Sequence, residues 1–223
     1  MRVRMLVGAC AIACGSSALV GCGSFFESSI PAPQAYVLRL PPPATRAEGA
    51  AAGSVRVQRP EAGPGLDSDR IALLRSDRRF DFYAASRWAA AAPDLMESVL
   101  VDQLRAGGAF TAVFEDTSPY PPRYNLRCSL ARFESDYSSN TGTGGTAPVI
   151  QVALDCTFGR HRDRALLANF TARGSAPASD DRLGAVVAAF ESATAQAVGQ
   201  LEKEIAAALA GETPPTTSNG TGS

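Results

Sequence analysis

The chain has 223 residues, 45% of them hydrophobic and 19% charged, with 21 basic against 22 acidic side chains. That length holds one ordinary domain with tails, or two very small ones, and the near-even charge balance argues against a nucleic-acid binder, which would show a basic excess or stripe. One histidine and five cysteines leave too little for a histidine-rich metal centre, and no cofactor is expected.

The chain opens as an address. Arg2 and Arg4 precede an apolar stretch from Met5 to Val20 that is too short and too rich in small residues for a membrane span. It ends Leu19-Val20-Gly21-Cys22, the pattern of a bacterial lipobox. Residues 1–21 are therefore expected to be a lipoprotein signal peptide, with Cys22 the acylated new N-terminus. Fatty acyl chains there, palmitate among them, would hold the protein on a membrane, since two chains suffice for stable anchoring. The residue after the cysteine is Gly23 rather than Asp, which favours the periplasmic face of the outer membrane of a Gram-negative bacterium. Without residues 1–21, which carry Arg2 and Arg4, 202 residues remain and the net charge moves from −1 to −3.

Residues 22–34 read as a lipidated tether, at most about 40 Å long when fully extended. Tyr36 to Leu40 then alternates as a strand and stops at Pro41-Pro42-Pro43. Further strands are expected at Ser54 to Arg59 and Arg70 to Arg75. The polar turn Ser76-Asp77-Arg78 leads to another at Phe80 to Tyr83. Pro93 to Ala106 carries Leu95, Met96, Val99, Leu100 and Leu104 at helical spacing, and Gly107-Gly108 should end that helix. A strand from Phe110 to Glu115 follows. Three longer strands come next, at Tyr124 to Phe133, Pro148 to Phe158 and Ala165 to Arg173. Ser179-Asp180-Asp181 should cap a last helix whose apolar face runs from Leu183 to Leu209. The segment 211–223 is rich in Pro, Thr, Ser and Gly and reads as a disordered tail. The fold class expected for 35–210 is thus α/β, a single domain with a central mixed sheet packed by two main amphipathic helices.

Few residues invite chemistry. Cys128 and Cys156 are centred on residue 142, inside a Gly-rich connector. A hairpin turning there sets them opposite each other, as a disulfide or as two buried thiols. His161 lies in the charged turn Arg160-His161-Arg162-Asp163-Arg164, and a lone histidine leaves no Ser-His-Asp triad. Gly142-Thr143-Gly144-Gly145 lacks the Lys and the following helix of a phosphate loop. No catalytic or metal-binding residue is assigned. Arg87-Trp88 has two readings: an indole plugging the core, or an exposed aromatic–arginine anchor for a partner protein.

Taken in order, Leu19-Val20-Gly21-Cys22, Tyr36-Val37-Leu38, Leu66-Asp67-Ser68-Asp69-Arg70-Ile71, and Phe82-Tyr83 leading to Arg87-Trp88-Ala89 resemble the ABC-type transport auxiliary lipoprotein family. This is the lipoprotein component of MCE-type and paraquat-inducible-type envelope systems. The family's Arg-Trp-Ala-Glu-Pro becomes Arg87-Trp88-Ala89-Ala90-Ala91-Ala92-Pro93 here, losing the acidic residue. The resemblance implies an α/β sandwich and a non-catalytic role. It also implies an MCE-family partner, whose permease and ATPase move lipid across the periplasm. Association with further copies of the chain is left open. A structural or regulatory envelope lipoprotein, activating a cell-wall synthase or docking a secretion assembly, is the alternative.

Overall fold

The computed structural model describes residues 32–43, 51–138 and 147–212. The signal peptide, Cys22, most of the tether, Gly142 to Gly145 and the tail beyond Glu212 lie outside the described residues. The elements run β1 (Gln34–Tyr36), β2 (Ala52–Val57), β3 (Glu61–Ala62), β4 (Arg70–Leu74), β5 (Phe80–Trp88), α1 (Ala92–Gly107), β6 (Phe110–Phe114), β7 (Tyr124–Asp136), β8 (Val149–Arg160), β9 (Leu166–Pro177) and α2 (Leu183–Ala210). Among the described residues five strands, not four, precede the first helix. The unforeseen one is β3, only two residues long.

One mixed sheet takes all nine strands. Its spine is the antiparallel meander β7–β8–β9. The other edge of β7 is shared by three parallel segments in succession. β2 pairs with Tyr124 to Leu126, β3 with Ser129 and Leu130, and β4 with Glu134 to Asp136. Outside them β6 runs parallel to β2, and β5 runs antiparallel to β4 with β1 parallel on its far side. The first strand is therefore earlier and shorter than its alternation suggests. Beyond Tyr36 the chain leaves the sheet to run over the helices, where Leu38 is buried and the Arg39 N–H donates to Glu191 Oε1 at 3.1 Å.

Alternation puts Tyr124, Leu126, Cys128 and Leu130 of β7 on the core face, opposite Phe158, Cys156 and Leu154 of β8. The pairing then skips Ala131, a bulge that turns the next core position from 132 to 133. Phe133 goes inward at 1% exposure and Arg132 stays outside with Glu134 and Asp136.

Both helices feed the same core. α1 begins with Pro93 in its first turn and stops at Gly108, which takes the left-handed conformation at φ 71°. α2 lies hard against β9. A Cβ at Gly174 would sit 1.8 Å from the Ala193 carbonyl oxygen, so only glycine admits this approach. The helix also covers the free edge of β9. Gln200 Oε1 accepts from the Arg173 N–H at 2.9 Å and Gln196 Oε1 from the Ser175 N–H at 3.2 Å. Two glutamines one turn apart thus stand in for a missing strand. α2 is not capped by its acidic pair: its N-cap is Arg182, with no side-chain hydrogen bond. Asp180 instead pairs with Arg182, and Asp181 accepts from the Tyr137 hydroxyl.

Candidate functional site

The motif residues form a knot at one side of the sheet. The Trp88 N–H donates to the Asp69 carbonyl at 2.6 Å, the Ala89 N–H to that of Tyr36 at 2.7 Å, and the Ala92 N–H to that of Ser68 at 3.0 Å. Arg87 Nη1 meets Asp69 at 3.1 Å, and Arg59 spans Asp67 and Asp94. The short polar stretch before β4 thereby ties β1, the end of β5 and the start of α1 to one another. Asp69 serves with both its backbone and its side chain.

Inside that knot Trp88 is fully buried, its ring 5.4 Å from Phe133 and 5.1 Å from Phe190. The reading of Arg87-Trp88 as an exposed anchor is corrected here. The indole cannot meet a partner, and only Arg87 reaches the surface, already paired with Asp69. The reason lies in β5, where Ala85 adopts φ 50° and the pairing with β4 slips between Arg70 and Ala72. That irregularity resets which face the strand's last residues present.

Cys128 and Cys156 face each other across β7 and β8 with Cα atoms 4.1 Å apart and their sulfurs bonded. Both are sealed in the core, at 3% and 1% exposure, so this pair is a staple out of reach of any thiol reagent in the folded state.

Two of the concavities among the described residues sit at the Tyr124 end of the sheet, beside a third along Arg160, Leu167, Ala208 and Glu212. One is a mainly apolar groove of about 490 Å³ between the later turns of α1 and α2, walled by Pro43, Leu104, Val198, Gly199 and Ile205. Gln103 holds its proline wall in place by donating to the Pro41 carbonyl at 3.1 Å. Glu202 is on its lining, half-buried, and its Oε1 has no hydrogen-bond partner among the described residues. Burial pushes its carboxyl above the usual range. A buried acceptor left unpaired costs about 1–3 kcal/mol.

The other, of about 470 Å³, opens on the sheet face turned away from the helices, beside the β8–β9 turn. Gln58, Asn125, Arg127, Thr157, His161 and Arg164 line it. His161 is exposed, as a turn residue should be, and its Nδ1 lies 3.0 Å from the Asn125 amide. Below the turn Arg160 is held by Asp163 and by Glu212, which also accepts from the Tyr124 hydroxyl. Burial opposes the Glu212 charge, but bonds from Tyr124 and Arg160 outweigh it and hold the carboxyl below the usual range. Glu212 is thus docked on the domain, although the sequence places it in the tail.

Among the described residues no group of three or more His, Cys, Asp and Glu side chains could hold a metal ion. Among them, too, no helix is long and apolar enough to cross a membrane. The sequence did not reveal either concavity. Arg127 and Arg164 are brought together only by the β7–β8 register, and Gln103 and Glu202 only by the crossing of the two helices.

Residues 36–206 match the family described as ABC-type transport auxiliary lipoprotein component. A crystal structure of a Xanthomonas campestris protein assigned to the family DUF330 is similar at 27% identity and a TM-score of 0.64. That likeness covers 82% of this chain and 98% of that one. A second crystal structure, of an uncharacterized protein, has 15% identity and a TM-score of 0.59 over 78% of this chain and 99% of its own, a likeness of fold. No curated protein matches the chain.

Proposed function

The chain belongs to the ABC-type transport auxiliary lipoprotein family, and from that premise we propose that it is the acyl-anchored accessory protein of an MCE-type ABC transporter of lipids. It acts at the periplasmic face of the outer membrane as a non-catalytic adapter. The family match over residues 36–206 is the observation that carries the reading. The division of the domain supports it. β1 joins the sheet beside Ser86 to Trp88, in the half of the sheet that holds the Asp136 end of β7. Both concavities lie at the opposite, Tyr124 end. The first described strand and these two concavities thus belong to different ends of the sheet, an arrangement that suits an adapter. The energy source lies in other chains.

The test is affinity purification of the tagged, acylated protein from cross-linked, detergent-solubilised envelopes of its own host. The expected companion is a protein with an MCE domain, together with its permease and ATPase. Deleting the gene should raise sensitivity to detergent. Absence of those companions with an unchanged envelope barrier would overturn the assignment. Replacing Cys22 with Ala should abolish acylation and move the protein from the membrane to the soluble fraction.

A further inference from the structure

Several surface arginines are neutralised at once: Arg75 by Asp81, Arg87 by Asp69, Arg132 by Glu134 and Asp136, Arg182 by Asp180. The corner around the β8–β9 turn differs. Arg127, Arg162 and Arg164 have no carboxylate within ion-pair reach among the described residues, while Arg123 lies over the Tyr124 ring and is attracted by the Glu212 carboxylate. In a chain with slightly more acidic than basic residues, this corner gathers unpaired guanidinium groups around a concavity.

The concavity is built from donors. Gln58 Oε1 accepts from Arg127 Nε at 2.7 Å, which extends that side chain across the sheet face and leaves Nη1 and Nη2 without a partner among the described residues. His161 Nδ1 lies 3.0 Å from the Asn125 amide, which sets the imidazole at the edge of the site. Thr157 adds a hydroxyl, and no Asp or Glu is among the lining residues. Arg164 occupies the left-handed region at φ 57°, where glycine or asparagine would sit with less strain. The turn holds it there through the Arg160 N–H on the Ala165 carbonyl at 2.8 Å. Leu166, 64% exposed, forms an apolar rim. Guanidinium forks with amide and hydroxyl donors arriving from several directions suit a tetrahedral oxyanion better than a flat carboxylate.

We propose that this corner is a binding site for a phosphate ester, carried by a lipid headgroup or by a soluble phosphate, with Arg127 and Arg164 as its charged contacts. It goes beyond the adapter reading and does not depend on it. The test titrates the full-length acylated protein, in an uncharged detergent, with sn-glycerol 3-phosphate by calorimetry. The protein is then anchored in phosphatidylcholine vesicles and offered a second vesicle population, either phosphatidylcholine alone or phosphatidylcholine with phosphatidylglycerol. The wild type should bind glycerol phosphate. The double variant Arg127→Gln, Arg164→Gln should weaken binding at least about tenfold, and Arg182→Gln, at the other end of the domain, should leave it unchanged. Capture of the phosphatidylglycerol vesicles assigns the site to a headgroup; glycerol phosphate binding without capture assigns it to a soluble ester. Should the double variant not fold, the single exposed replacement Arg127→Gln carries the comparison. No binding of either probe, or equal binding by a folded variant, overturns the proposal.

Discussion

The two halves of the sheet are held together differently. β7, β8, β9 and α2 form long continuous ladders, stapled by Cys128–Cys156 and sealed by a helix whose backbone touches a strand at Gly174. Of the strands before α1, β2, β3 and β4 are short and share the edge of β7 piecemeal, with β5 and β1 outside β4. They are secured by a few backbone bonds around Asp69 and by arginine–carboxylate pairs that face water. The first kind of cohesion is spread over many residues, and the second is concentrated in a knot. Damage to the knot should therefore be local unless it reaches Trp88, which joins the halves by touching Phe133 of β7 and Phe190 of α2.

The largest expected effect tests that joint. Trp88→Ala should lower the unfolding free energy by about 3–5 kcal/mol, measured by urea denaturation, with the amides of β4 and β5 losing exchange protection before those of β7 and β8. A loss below about 1 kcal/mol would show that the halves are not coupled through the indole. Next, Gly174→Ala forces α2 off β9 and should cost about 1–3 kcal/mol. Because the strain is distributed through the ladder half, the whole transition should shift as one. A separate early transition would break the comparison. Glu202→Gln should change how stability depends on pH. Burial raises the native carboxyl's pKa, so the group favours folding below its unfolded value of about 4.5, and that contribution is lost as pH rises through the native value. The variant should lose less stability than the wild type between pH 4 and 8; an identical slope would show that this carboxyl is solvated as in the unfolded chain. Smallest of all, Arg87→Ala removes an exposed ion pair and should cost no more than about 1 kcal/mol, although its neighbour's truncation is the most damaging of the set.

Legibility followed the same division. The alternation of residues 124–133 and 149–158 and the midpoint between Cys128 and Cys156 foretold a hairpin whose register the structure reproduces. Both helices could be read from their apolar spacing, and α1 also from its terminal proline and glycines. In the other half the signals were weak because the structure depends on partners distant in sequence. Two residues of β3 show no periodicity, and their pairing with Ser129 and Leu130 exists only once β7 is in place. Trp88 could not be assigned to core or surface from alternation, since the positive φ at Ala85 breaks the pattern three residues earlier. The phosphate-ester corner was invisible for a related reason. Its two arginines are unremarkable in an arginine-rich sequence until tertiary structure shows that no acid accompanies them.

The shared edge of β7 also sets an order of events. β2, β3 and β4 lie between residues 52 and 74, yet the strand that unites them begins at Tyr124. A chain made from its N-terminus must therefore carry about 50 to 70 residues past these segments before their common neighbour exists. The half made first is completed last. Until then its apolar strands depend on local pairs alone, the interval in which a chaperone would find them exposed.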